Sequence, residues 1–511
     1  MASRSLASRM SSNMGCNSSL RALVPCSRPP TVASLLYVQS CQRSRNFATQ
    51  AGIVDRVSGS AFITPDLYNP KPNPLATATR PQGPAYWRQI GMWKDVTEDQ
   101  FLSYRWQASL DIQTSSSNTI DRKDKLLRFL EHVLPEHIPH PRTSAWAKIK
   151  TRDDFLADVE AGMKAAPMSV RLTPHMLSVA NWNDPFSDPI RRQFIPLGST
   201  ITPDHPALTL DSLHETDDSP VPGLVHRYPD KVLFLATSVC PVYCRFCTRS
   251  YAVGNNTESV TKASQKPGRK RWETMFAYIE SNPAVQDVVV SGGDSYYLQP
   301  AQLRLVGERL LSIPNVQRIR FATKGLGVCP MRILEGGDEW PDVFVELSNQ
   351  GRAMGKQVAM HTHINHPREM TWVTEKAARL LFQKGVTVRN QSVLLRGVND
   401  DVATMGNLIR RLADLNIQPY YVYQSDMVRG VEDLRTPLSR ILELERNIRG
   451  TIAGFMMPQF VVDLPGGGGK RLANSFEKYD EESGVSTWKA PGVAGDEEFT
   501  YHDPVSAKDD S

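Results

Sequence analysis

Acidic residues are missing from the first 54 positions of this 511-residue chain; the first is Asp55. The same stretch holds Arg4, Arg9, Arg21, Arg28, Arg43 and Arg45 among many serines. Arginine- and serine-rich and acid-poor is the composition of a mitochondrial transit peptide, with a cleavage point after Phe47. A disordered basic tail is the plainer alternative. Without residues 1–47 the six arginines go and 53 Lys+Arg face 54 Asp+Glu. That near-neutral balance gives no ground for a nucleic-acid partner. No run approaches the roughly 20 apolar residues of a helical membrane span, so no membrane partner is expected. Cysteine is scarce too. Cys16, Cys26 and Cys41 fall in the presumed presequence, which leaves Cys240, Cys244, Cys247 and Cys329. Four thiols so placed are not a disulfide framework. They suit a reducing compartment in which thiolates hold a metal.

Three of those cysteines stand together in Cys240-Pro-Val-Tyr-Cys244-Arg-Phe-Cys247. Structural zinc sites use four ligands, usually as two close pairs. An ordinary iron–sulfur cluster also takes four cysteines. A compact triplet without an obvious fourth partner points to a four-iron cluster with one iron open to a ligand. Zinc with Cys329 as fourth ligand is the competing reading, and the spacing is wrong for it.

The chain changes character along its length. Residues 48–86 are rich in Pro and Ala and read as an extended linker. Residues 87–230 carry helical periodicity, as in the Leu126, Leu127, Phe129, Leu130, Val133 stripe. They end in an irregular stretch from about Asn181 to Asp230. From 231 short apolar runs alternate with amphipathic segments. Strands are predicted at 232–238, 287–291, 316–323, 357–362, 386–394 and 418–424, with helices such as 301–312, 373–383 and 404–414 between them. Repeated β-α units imply a parallel sheet with helices outside, either doubly wound or a partial barrel. Polar motifs follow the strands: the triplet, Gly292-Gly293-Asp294, the His361–His366 stretch and Gln424-Ser425-Asp426. Polar groups gathered at strand C-termini mark the functional face of an α/β barrel. The barrel is placed at 231–430, a segment bearing a glycine-flanked lysine at 431–490, and a disordered tail at 491–511.

These residues carry a resemblance. The chain is similar to the lysine 2,3-aminomutases, within the radical S-adenosylmethionine enzymes, as a eukaryotic mitochondrial-type member. The blocks that carry it are Asp218 to Asp230, the triplet with Thr248-Arg249, Ser291 to Asp294, Asn365-His-Pro367, Asn390 to Asp400, Arg435-Thr-Pro437 and Asp463-Leu-Pro-Gly-Gly-Gly-Gly-Lys470. The resemblance implies a partial (βα)6 barrel of TIM-like type with a helical N-terminal region. It implies a [4Fe-4S] cluster, S-adenosylmethionine and pyridoxal 5′-phosphate as cofactors. The implied reaction uses a 5′-deoxyadenosyl radical to move the amino group of L-lysine from C2 to C3.

Matched to the family, Cys240, Cys244 and Cys247 are the cluster ligands. Gly292, Gly293, Asp294, Gln391 and His363 lie near S-adenosylmethionine. A bare Gly-Gly-Asp could equally be a simple turn, and a lone histidine a structural residue. Lys470 is the lysine that carries pyridoxal phosphate. Four glycines before it give a flexible tether, and Arg471 in place of Ser or Thr argues against a nucleotide loop. Arg227 and Tyr228 match residues that hold the pyridoxal phosphate group. Arg249 matches the arginine for the substrate carboxylate, a pairing that suits a guanidinium fork. Asp426 and Asp463 match the two acids for the lysine ammonium, since a buried cation needs close anions.

Three departures stand out. Asp401 occupies a position where bacterial relatives often have a cysteine, and no cysteine follows Cys329. The family's intersubunit zinc site is therefore expected to be missing from any homo-oligomer. The Thr323–Arg332 run differs from the usual pattern and is expected to face the site. The stretch Glu335 to Asp342 is unfamiliar as well. An external electron donor is implied as partner. The alternatives are the same amino shift on another amino acid such as arginine or on a protein-bound lysine, and a non-catalytic cluster-binding protein.

Overall fold

The computed structural model describes residues 83–108, 118–139, 146–263 and 265–505. The presequence, most of the 48–86 linker and the last six residues lie outside them.

The strands follow from a period-two pattern. In Asp287-Val-Val-Val-Ser-Gly, Arg318-Ile-Arg-Phe-Ala-Thr and Gln357-Val-Ala-Met-His-Thr, one face is apolar and the other largely polar. Successive strand side chains point to opposite faces. The apolar set, Val232, Phe234, Val288, Val290, Ile319, Phe321, Val358 and Met360, is buried in one core with the surrounding helices. The other set lines an interior cavity. The sheet has nine strands in sequence order: β1 Leu224–Tyr228, β2 Lys231–Thr237, β3 Asp287–Gly292, β4 Arg318–Thr323, β5 Gln357–Thr362, β6 Thr387–Val393, β7 Ile417–Tyr423, β8 Gln459–Leu464 and β9 Gly469–Leu472. Strands β2 to β8 pair in parallel; β1 and β9 are antiparallel edges.

Helices Arg269–Ser281, Pro300–Ser312, Trp340–Ala353, Trp372–Gln383, Val402–Asp414 and Leu438–Ile448 cross between consecutive strands from β2 to β8. This is a partial α/β barrel of six β-α units closed by a further parallel strand. Asp401 accepts from the Thr404 N–H at 2.8 Å and caps the helix that follows β6.

The sequence reading is corrected at three places. The 181–230 stretch is not wholly irregular: it holds helix Pro189–Phe194, capped by Asp188, and strand β1. The barrel does not end at 430, because β8 and β9 continue its sheet. The expected disordered tail contains helix Pro491–Ala494 and strand β12, Glu498–His502. That strand pairs with β11, Val485–Lys489, which also pairs with β10, Lys478–Asp480.

A second core joins the N-terminal helices to the barrel. Trp87, Phe101, Phe129, Leu130, Phe155 and Phe186 pack together with Val328 and Met331 of the run after β4. Inside it the Tyr86 hydroxyl meets His175 Nδ1 at 2.6 Å. Burial pushes the His175 pKa down to about 3, so the ring is neutral. Here the expectation for Thr323–Arg332 fails. Thr323 and Lys324 reach the cavity, but Gly325 to Ile333 are buried as two short helices away from it. Gly325 has room for no side chain, since a Cβ would collide with the Tyr296 ring.

Candidate active site

A cavity of about 690 Å³ runs inside the barrel. Every site residue named from sequence lines it except Gly292. The cysteine loop after β2 is pinned from outside. The Tyr243 N–H donates to the Arg171 carbonyl at 3.0 Å and the Arg245 N–H to the Gln193 carbonyl at 2.9 Å. The Arg245 guanidinium forms a buried fork on Asp433, at 2.8 and 3.1 Å. These contacts turn the three thiols toward the cavity. Burial raises all three, Cys244 to about 12.

Among the described residues, no three His, Cys, Asp or Glu side chains converge as they would around one ion. Cys329 is buried in the barrel core and does not line the cavity.

At the end of β3, Gly292 adopts φ +113°, and a Cβ on it or on Gly293 would strike the backbone of Thr237 to Val239. The glycines are therefore required by close packing of β3 on β2. Asp294 accepts from the N–H groups of Tyr296 and Lys324, both at 2.8 Å. Its carboxylate already braces two turns, and burial raises its pKa. His363 stacks on Phe246, centroids 5.7 Å apart, and its Nε2 is buried without a partner. Burial holds its pKa well below the usual value, so the ring offers a neutral acceptor or donor to a ligand. Lys324 is consumed by a buried pair with Glu369 at 2.7 Å and by the His363 carbonyl at 2.8 Å.

The other half of the cavity holds two carboxylates and a lysine. Asp463 on β8 and Lys470 on β9 are register partners, with Nζ to Oδ2 at 2.6 Å. Gly466 and Gly467 have positive φ, as does Gly469 at the start of β9, which lets four residues turn the chain between these strands. The Lys470 N–H donates to the Tyr228 hydroxyl at 3.1 Å. The Lys470 amine lies 5.8 Å from the Tyr228 ring centroid and 5.5 Å from that of Tyr423. Burial alone would raise the Asp463 pKa, but Lys470 holds it below the usual value. Asp426 has no such cation: burial, then the charge of Asp463, push it up to about 7. The Thr248 hydroxyl donates to Asp426 Oδ2 at 2.7 Å.

Two residues expected to face ligands hold protein partners. Arg227 donates from Nε to Asp218 at 2.7 Å and from Nη2 to the Leu213 carbonyl. Arg249 forks onto Glu215, at 2.7 and 2.6 Å. Sequence reasoning missed Glu215, the Thr248 contact, and the cationic inner residues Lys231, Arg320 and Arg389 that line the cavity. The inner set has a readable signal: charged residues at alternate positions of otherwise apolar strands. Glu215 has none.

No protein-family model matches the chain. Relatives do. The L-lysine 2,3-aminomutase of Clostridium subterminale is 36% identical over 383 residues, 75% of this chain and 80% of that protein. That of Acetoanaerobium sticklandii is 39% identical, covering 68% and 80%. The glutamate 2,3-aminomutase of Clostridioides difficile is 28% identical, covering 73% and 77%. Among solved structures, Streptococcus suis SuiB bound to S-adenosylmethionine overlaps 46% of this chain and 51% of its own, at 12% identity and a TM-score of 0.34. At that score the overlap carries no argument. The barrel and its lysine-bearing cavity, with relatives of this identity, define an enzyme of the isomerase class. The chain belongs to the lysine 2,3-aminomutase family.

Proposed function

We propose that the protein is a radical, S-adenosylmethionine- and pyridoxal-phosphate-dependent aminomutase that converts L-lysine to β-lysine. The observation that carries this reading is the pair of buried acids, Asp426 and Asp463, in one cavity with Lys470 and Arg249. A ligand with a carboxylate at one end and a cation at the other meets complementary groups at both. Glutamate would bring an anion to two acids.

The cofactor roles follow from the residues present. Cys240, Cys244 and Cys247 would hold a [4Fe-4S] cluster as thiolates. Gly293, Asp294, Gln391 and His363 would face S-adenosylmethionine, with Gly292 setting the turn behind them. Lys470 would carry pyridoxal phosphate, beside Tyr228 and Arg227. When bound, these groups supply a reversible acceptor for a hydrogen atom and a conjugated carrier for the migrating nitrogen. The chain's own residues orient the substrate. Arg249 takes the carboxylate through its free N–H groups. Asp463 serves one ammonium at a time: that of Lys470, 2.6 Å away, or that of the substrate once Lys470 carries its cofactor. An external donor supplies the electron. Residues 1–47 direct the chain to the mitochondrial matrix, and any homo-oligomer forms without the intersubunit zinc.

Anaerobic reconstitution with iron, sulfide, S-adenosylmethionine, pyridoxal phosphate and reductant tests the reading. It predicts cluster absorption in the visible range, about four irons per chain, and β-lysine from L-lysine. Zinc in place of iron would overturn the cofactor assignment. Deoxyadenosine released without β-lysine would overturn the substrate.

A further inference from the structure

Arg249 is not a free arginine waiting for a carboxylate. Its Nε and Nη2 groups are both taken by Glu215, whose side chain is 5% exposed against 22% for Arg249. Glu215 is itself fixed. The Tyr251 hydroxyl donates to its Oε2 at 3.1 Å. Its backbone N–H donates to Asp211 Oδ1 at 3.0 Å, and Asp211 Oδ2 accepts from the Thr216 N–H and hydroxyl at 2.9 and 2.6 Å. Its carbonyl accepts from the Ser219 hydroxyl at 2.7 Å. A self-closed loop thus presents one carboxylate to one edge of the guanidinium.

A guanidinium has five N–H groups in a rigid plane. With the Nε edge clamped, the end formed by Nη1 and the second Nη2 hydrogen remains. That end accommodates one further carboxylate with two parallel hydrogen bonds. Arg249 follows directly on Cys247 and Thr248 in the chain, and all three line the cavity. A long arginine without this clamp would lose rotamer freedom on each binding event.

We propose that Glu215 is a positioning residue that fixes Arg249 so that its free edge reads the α-carboxylate of the amino acid substrate. This rests on the reading of Arg249 given above and adds the residue that makes it work. Glu215 touches no substrate atom; it acts through Arg249.

The test compares L-lysine with L-lysinamide, in which a neutral amide replaces the carboxylate. Dissociation constants are measured by calorimetry on the reconstituted protein, wild type and Glu215→Gln, with KM and kcat for L-lysine alongside. Loss of a charge-assisted fork predicts L-lysine binding and KM weakened about tenfold or more. The kcat should change little, and lysinamide binding should stay as in wild type. Tyr251→Phe removes one hydrogen bond without changing packing, and it should shift L-lysine in the same direction by a smaller factor. It decides the matter if Glu215→Gln fails to fold. Equal shifts for the two ligands, a fall in kcat with KM intact, or no shift would overturn the proposal. Wild-type protein that binds L-lysine without converting it would defeat the functional reading instead, and the ratio of the two affinities would still test Glu215.

Discussion

Asp426 and Asp463 differ in their neighbours, and that difference sets their charge. Lys470 keeps Asp463 ionised. Asp426 faces Asp463, Thr248 and, further off, Lys470 and Glu215, and it titrates near 7. Its folded pKa is raised, so it is neutral below about 7 and a carboxylate above. A cationic side chain needs the carboxylate. KM for lysine should therefore fall as pH rises through about 7, and in Asp426→Asn that pH dependence should vanish. A charge-assisted hydrogen bond contributes about 1.5–3 kcal/mol, so Asp426→Asn should raise KM about tenfold or more. Steady-state kinetics across pH 6 to 8.5 checks both; a flat wild-type profile would count against a titrating Asp426. Lys470→Ala should abolish covalent retention of pyridoxal phosphate after borohydride reduction, read by the mass of the intact chain. Retention at another lysine would move the carrier role.

Among the elements, most barrel strands were readable because their outward faces are apolar; β6 is the exception, with Asn390 and Ser392 turned outward and hydrogen-bonded to the Ile364 carbonyl. All six expected strands, 232–238 through 418–424, fall on β2 to β7. Strands β1, β8 and β9 were missed. β1 and β9 have only five and four residues, too few for a period-two pattern to stand out, while β8 was passed over although Phe460, Val461 and Val462 are apolar. The site was legible through its motifs, since cysteines, glycines and acids follow the strands. What was not legible is which charge meets which. Arg227 with Asp218 and Arg249 with Glu215 pair across loops that no periodicity connects. The same holds for the Arg245–Asp433 fork, which ties the cysteine loop to the segment after β7. Removing one partner of a buried pair typically costs about 3–5 kcal/mol. Asp433→Ala should lower the melting temperature of the apo chain and reduce iron retained per chain. Unchanged iron content would show that the loop is held by its backbone contacts alone.

Across the whole molecule, the N-terminal helices and the C-terminal strands both converge on the barrel's working end. The N-terminal region anchors the cysteine loop through Arg171, in the segment before helix Pro174–Val179, and Gln193, in helix Pro189–Phe194. The C-terminal sheet anchors the acid loop: the Tyr501 hydroxyl donates to the Ser425 carbonyl at 2.9 Å and accepts from Gln424 at 3.1 Å. Phe499 packs against Gly468, where a Cβ would meet its ring at 2.8 Å. Strand β12 thus braces both the residue before Asp426 and the glycine turn before Lys470. Tyr501→Phe should cost about 1 kcal/mol of stability, the usual net value of one hydrogen bond, and raise KM for lysine without lowering iron content. Two buried acids in one cavity with an arginine should select an amino acid with a cationic side chain. The most direct measurement of that selection is a competition: the anaerobically reconstituted protein is given L-lysine, L-arginine and L-glutamate in equal amounts, and the β-amino acids formed are quantified by mass spectrometry. β-Lysine should be the main product, with no β-glutamate. Formation of β-glutamate ahead of β-lysine would contradict that selection.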